Sequence, residues 1–140
     1  MSLVGYALRE AKKHYKPETY KHAIRVAAYV AENPIIPDDK MDDCVALAIM
    51  HDLIEDTTYN LWLGAEDELG QHFCESLKLI THEVENVYYN DYIKNIKEKS
   101  NEYPEVYWVK MADMKDHLSE TGTLTDKLKE KYLTALSFLL

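Results

Sequence analysis

An all-α fold of seven or eight helices is predicted by two observations on the 140-residue sequence. Four glycines and four prolines leave few turns. Apolar residues recur at helical spacing, and no alternating apolar–polar run is long enough to insist on a strand. The length fits one domain, residues 1–140, with enough core to fold alone.

The first helix is expected from about Leu3 to Tyr15, stopping before Pro17. The second starts near Glu18, carries Ala23, Ile24, Ala27, Ala28 and Ala31 on an apolar face, and breaks at Asn33-Pro34. Pro34-Ile-Ile-Pro37 reads as an extended connector, after which Asp38 or Asp39 can cap a third helix ending near Asp56-Thr57-Thr58. Asn60 is expected to open a short helix ending at Gly70, and Gln71–Thr81 forms another. Tyr88–Lys99 is amphipathic and leads into the polar loop Ser100-Asn101-Glu102. Pro104 suits the first turn of a helix reaching about Leu118. Gly122 separates it from a last helix, Thr125–Leu140, with Leu128, Tyr132, Leu136 and Leu139 on one stripe.

Composition excludes several classes. Charged residues are 29% and the hydrophobic set 46%, as in an ordinary globular protein. No run approaches the roughly 20 apolar residues of a spanning helix, and MSLVGYALREAKKHY lacks the apolar core of a signal peptide. No membrane partner and a cytoplasmic location are therefore expected. Cys44 and Cys74 lack metal-type spacing and read as buried free thiols. A net charge of −9 argues against a nucleic-acid partner. The first 30 residues nevertheless carry +4, from Arg9, Lys12, Lys13, Lys16, Lys21 and Arg25 against Glu10 and Glu18. A local basic face on an acidic chain suits a small polyanion.

Chemistry concentrates in Cys44–Asp56. Seven apolar residues, Cys44 to Met50, imply a helix buried on every side. The run continues into His51-Asp52 and then Glu55-Asp56. Charges at the end of a core helix need a cation, basic partners or a solvent cleft. A metal in a cleft accounts for all four residues, whereas an ordinary helix end with acids facing water accounts for them without one. His22 shares a face with Val26 and Tyr29, where a lone histidine is more often a satisfied core residue. Lys110, Asp113 and His117 share one face of the helix that carries the apolar run before Asp113.

Together these residues form an ordered set. His22, then His51-Asp52, then Asp113 resembles the H…HD…D signature of the HD metal-dependent phosphohydrolases. HDLIEDTTYNLWLGAEDELG (51–70) is similar to the HDxxEDT segment of the alarmone-hydrolase branch, whose following helix ends in Gly. VKMADMKDHL (109–118) is similar to that branch's (L/V)K(L/M)AD motif, and LKEKYLTALSFL (128–139) to the KYxxAL ending of its small single-domain members. The match covers most of the chain and keeps its order.

The resemblance implies a single HD-domain helical bundle holding one divalent ion on His22, His51, Asp52 and Asp113. Such a mixed nitrogen–oxygen site suits Mn²⁺ first, with Fe²⁺, Co²⁺, Ni²⁺ or Zn²⁺ as alternatives. The ion would lower the pKa of a bound water toward about 7 and polarise a phosphoryl oxygen. By the same resemblance Glu55 and Asp56 position or deprotonate the attacking water, and Lys110 meets substrate phosphate. His117 looks into the same cleft, and Lys16, Lys21 and Arg25 are further phosphate candidates. The expected activity is cleavage of a phosphate or pyrophosphate from a small nucleotide, with the 3′-pyrophosphate of (p)ppGpp the leading specific expectation. The alternatives are a nucleotidase or nucleotide pyrophosphohydrolase with the same metal site, or a catalytically idle nucleotide-binding module.

Two positions depart from the branch's pattern. The segment His14-Tyr-Lys-Pro-Glu-Thr-Tyr-Lys-His22 lacks its usual Gly-Gln and basic pair, and His117 stands where an Asn is usual. His14, His72 and His82 read as surface or packing residues. The apolar C-terminus can cover either the core or a second copy in a homo-oligomer.

Overall fold

The computed structural model describes residues 2–83 and 87–140. Those residues form a helical bundle without strands: α1 (Leu3–His14), α2 (Pro17–Glu32), α3 (Asp38–Met50), α4 (Leu53–Asp56), α5 (Ala65–Leu69), α6 (Gln71–Ile80), α7 (Tyr89–Glu98), α8 (Pro104–Ser119) and α9 (Asp126–Leu139). Because α4 is a single turn of four residues, the described residues amount to eight helices proper. None of them is long and apolar enough to cross a membrane.

The ends follow local chemistry. Ser2 caps α1, its Oγ accepting from the Gly5 N–H at 3.2 Å, and Thr125 caps α9 through the Leu128 N–H at 3.2 Å. Pro17 and Pro104 start α2 and α8, where a missing N–H costs nothing. Neither Asp38 nor Asp39 caps α3. Pro37 takes that position, and both acids sit in the first turn, where the helix dipole favours them.

α3 is the central element, packed by α1, α2, α6 and α8. Cys44 and every residue from Ala46 to Met50 are buried. Removing a side chain such as Leu47 would leave a cavity costing roughly 2–5 kcal/mol. On α2 the buried face is His22, Ala23, Val26, Ala27 and Val30, while Ala28 and Ala31, expected on the apolar face, are exposed. Cys44 and Cys74 are free and buried. At the C-terminus Leu139 is buried and Leu140 is exposed.

Three sequence expectations need correction. Pro34–Pro37 is a turn rather than an extended connector, because Asn33 Oδ1 accepts from the Ile35 N–H at 3.0 Å and Ile36 tucks into the core. No helix opens at Asn60, whose Oδ1 instead accepts from the Leu61 N–H at 2.9 Å. The helix starts at Ala65, after Gly64 at φ 88°, a backbone value that favours glycine.

The third correction shapes the site. α3 ends at Met50 rather than near Asp56, because side chains take over its last hydrogen bonds. His51 Nδ1–H donates to the Ala48 carbonyl at 2.6 Å, which removes that acceptor from the Asp52 N–H. The Asp52 N–H goes to the buried Tyr15 hydroxyl at 3.2 Å, and that hydroxyl donates to the Ile49 carbonyl at 2.8 Å. The orphan groups of the helix end are thereby satisfied. His51 and Asp52 occupy a turn, which lets both side chains converge with those of His22 and Asp113.

Candidate metal centre

Two helices and one turn meet here. α2 supplies His22, the turn after α3 supplies His51 and Asp52, and α8 supplies Asp113. One atom each from His22, His51 and Asp113 lies within 4.8 Å of the other two, and all three residues are buried. Asp113 Oδ1 is 2.8 Å from His22 Nε2 and 3.2 Å from His51 Nε2. Asp52 Oδ2 closes on the same nitrogens at 3.1 Å from His51 Nε2 and 3.7 Å from His22 Nε2.

The outer face of each imidazole fixes its tautomer. His51 Nδ1–H is committed to the Ala48 carbonyl, and His22 Nδ1–H donates to Asp116 Oδ2 at 2.6 Å. A neutral ring with Nδ1 protonated turns a bare Nε2 lone pair inward. Two such lone pairs therefore face two carboxylates, which is repulsive unless positive charge lies between them. A proton can serve: burial pushes the His51 pKa down, but the Asp52 and Asp113 charges outweigh it and leave it well above the ordinary value. His22 is raised in the same way, its burial overcome chiefly by Asp113. A divalent cation serves better, because one ion can take both lone pairs and both carboxylates. With bonds of about 2.1 Å, neighbouring ligands of an octahedral ion stand about 3.0 Å apart. The observed 2.8, 3.1 and 3.2 Å separations fit that spacing, while the 3.7 Å between Asp52 Oδ2 and His22 Nε2 is wider. His22, His51 and Asp113 together can hold a metal ion.

Asp113 is the hub. Burial pushes its pKa up, yet the Lys110 and His51 charges and hydrogen bonds from His117 and His22 hold it well below the usual carboxylate range. Lys110 is buried and donates to Asp113 Oδ2 at 2.9 Å, leaving Oδ1 to the imidazoles. Its ammonium lies over the Tyr89 and Tyr92 rings, at 5.8 and 5.1 Å from their centroids. His117 Nε2 lies 3.1 Å from Asp113 Oδ1, and its ring stacks on Tyr132 at 4.4 Å. The shared face of Lys110, Asp113 and His117 is thus brought to the cluster.

Glu55 and Asp56 follow by one turn on α4. Glu55 Oε1 accepts from the His82 N–H at 2.6 Å. Partial removal from water raises both carboxyl pKa values, and the Asp52 charge pushes each further. The Asp56 carboxyl also responds to the charges of His51 and His22, which lower its pKa, and of Asp113, which raises it.

The basic candidates do not converge. Lys16 is exposed at the start of α2, and Lys21 pairs with Glu18 at 3.4 Å on the surface. Arg25 is turned to the back of the site: Nε and an outer nitrogen donate to Asp116 at 2.8 and 3.1 Å, and Nε also lies 3.3 Å from Glu120. His14 and His72 pack against Tyr59 and Tyr103, and His82 packs against Tyr89 and Tyr92, the rings that also face Lys110.

Sequence reasoning missed two residues that shape the site. Asp116 bonds His22 from behind, and Tyr15 takes the Asp52 N–H at the end of α3. A signal for Asp116 exists, since His22/Arg25 and Asp113/Asp116 are matched i, i+3 pairs on two helices. No family model matches the sequence, and no curated protein matches it.

Proposed function

We propose that this chain is an HD-type, divalent-metal-dependent phosphohydrolase that cleaves a phosphate or pyrophosphate from a nucleotide, with Mn²⁺ the favoured ion. The observation that carries the reading is the inward turn of two imidazole lone pairs, each fixed by a hydrogen bond on the other nitrogen, onto two carboxylates. The order of those ligands is that of the HD signature. When bound, the ion would supply Lewis acidity to a phosphoryl oxygen and a nucleophile at neutral pH.

The chain's own residues do the rest. His22, His51, Asp52 and Asp113 would hold the ion, and Lys110 neutralises Asp113 Oδ2. Glu55 and Asp56 are carboxylates with raised basicity one turn beyond the ligands, suited to accept a proton from the attacking water. That surplus of carboxylates also favours an enzyme over an idle binding module. Removal of the 3′-pyrophosphate of (p)ppGpp is the specific reading that the sequence resemblance favours. A nucleotidase is the alternative, favoured by His117 at the position where relatives in that branch usually have Asn.

The test pairs metal content with turnover. Purified protein should take up one Mn²⁺ per chain, and His51→Ala and Asp113→Ala should abolish uptake. A panel of nucleotides that includes (p)ppGpp, scored separately for phosphate and pyrophosphate release, identifies the reaction. Undiminished stoichiometric metal in both variants would overturn the centre, and no release from any nucleotide by the Mn²⁺-loaded protein would overturn the activity.

A further inference from the structure

The positive charge on α1 takes no part in the metal centre. Its exposed strip includes Leu8, Arg9, Lys12 and Lys13. Leu8 and Lys12 stand four residues apart and share one face, so an apolar side chain, 37% exposed, is set among cations. The reverse pattern lies on the loop before α5. Ile54, Leu61, Trp62, Leu63 and Ala65 line a hollow of about 700 Å³. Trp62 is 40% exposed and Leu63 is fully exposed, the kind of apolar surface that marks an interaction face. Glu66, Asp67 and Glu83, all exposed, ring the hollow together with Lys78, whose ammonium is already paired with Glu66 at 3.7 Å and Glu75 at 3.6 Å. The rim is therefore acidic. The Trp62 ring meets Tyr6 of α1 edge-on, with centroids 6.1 Å apart, so the basic strip and the acidic hollow adjoin on one surface.

We propose that this surface pairs two copies of the chain about a two-fold axis, with the basic α1 strip of each copy on the acidic hollow of the other. Adjoining patches of opposite charge allow this. A two-fold axis through the Trp62-Leu63 loop makes the strip-to-hollow contact twice and closes the pair. Leu8, Trp62 and Leu63 leave water in the same step, which gives the contact an apolar centre within a charged rim. A nucleic acid laid on the strip would meet the acidic hollow beside it, on a chain whose net charge is −9, so the complement is a second copy. None of these residues belongs to the metal centre, and the proposal is independent of the phosphohydrolase reading.

Sedimentation equilibrium of the full chain, at about 100 µM where a micromolar interface is nearly filled, reads the pairing. Wild type should be a dimer in low salt, and its Kd should rise as salt screens the exposed charges. Lys12→Glu with Lys13→Glu, and Glu66→Lys with Asp67→Lys, should each raise Kd by at least about 10-fold, since each sets like charges together in both contacts. An equimolar mixture of these two double variants should dimerise again, because their reversed patches are complementary in both contacts. Leu63→Ser should raise Kd at every salt concentration. All five positions are exposed, and circular dichroism checks that each variant keeps its helices. A monomeric wild type would overturn the proposal and leave the hollow to a different basic partner. Dimers that survive both charge reversals, assemblies that grow beyond two copies, or a mixture that stays monomeric would overturn it as well.

Discussion

Asp116 Oδ2 lies 2.6 Å from Nδ1 of His22, and the Arg25 guanidinium holds the same carboxylate from its other side at 2.8 and 3.1 Å. Burial pushes the Asp116 pKa up, but hydrogen bonds from Arg25 and His22 bring it below the usual range, so it stays an anion. An anion behind an imidazole fixes the ring's orientation and raises the basicity of the nitrogen that meets the metal. Asp116→Ala should therefore weaken Mn²⁺ affinity by roughly 10–100-fold. Asp116→Asn, which keeps an acceptor oxygen but loses the charge, should fall between it and wild type. Competition with a chelator measures both. Unchanged affinity in Asp116→Ala would mean that this carboxylate only packs.

Glu55 and Asp56 should separate metal retention from turnover. Glu55→Gln keeps an oxygen for the His82 N–H, so the α4 turn and the segment it holds stay in place. Asp56→Asn is similarly conservative in shape. Both variants should retain one Mn²⁺ per chain and lose turnover by about 10²-fold, the lower range for a positioned acid–base group. Loss of the ion from either would make that residue a ligand.

The fold class was legible because nothing in the sequence competes with helix. Boundaries failed where side chains compete with the backbone for hydrogen bonds, and that competition is invisible to periodicity. His51 and Tyr15 take the acceptors and donors at the end of α3 although Tyr15 lies on another segment. Asn60 and Gly64 delayed α5 by the same kind of local preference. The structure brings together the side chains of His22, His51-Asp52 and Asp113, and that ordered set was legible as a motif. Asp116 was not: between Lys115 and His117 it reads as part of a solvated face, and only the packing of α2 on α8 buries it against His22. Arg25 failed for the matching reason, since its partner lies across that contact.

His117 tests the nucleotide selectivity proposed for the site. Its Nε2 touches Asp113 Oδ1, and its ring sits between Tyr132 and the ring of His22, whose centroid is 4.5 Å away. Asn at this position keeps a donor for Asp113 and loses the stacked ring, while gaining an amide that can both donate and accept. His117→Asn should retain Mn²⁺ and raise kcat/KM on (p)ppGpp relative to other nucleotides. An unchanged substrate ranking would leave this histidine no part in selectivity.

Away from the centre, a second buried carboxylate makes a prediction about stability. Glu105 on α8 is 3% exposed and accepts from Lys40 Nζ at 3.0 Å and His72 Nε2 at 2.9 Å, tying α8 to α3 and α6. Burial pushes its pKa up, but the hydrogen bonds from His72 and Lys40 outweigh burial and leave it below the ordinary 4.5. A carboxyl whose folded pKa lies below its unfolded one stabilises the fold above the unfolded value and loses that contribution as pH falls through the folded one. Glu105→Gln should therefore cost roughly 2 kcal/mol at pH 7, the range for hydrogen bonds to a charged group. The gap between variant and wild type should begin to close as pH drops below 4.5 and narrow through the lowered folded pKa, because both proteins then carry a neutral side chain. Urea unfolding of the pair across that range reads the gap directly, and the titrations of the metal cluster, common to both, cancel. A gap that stays constant into strong acid would show that the Glu105 charge contributes nothing and that only its shape matters.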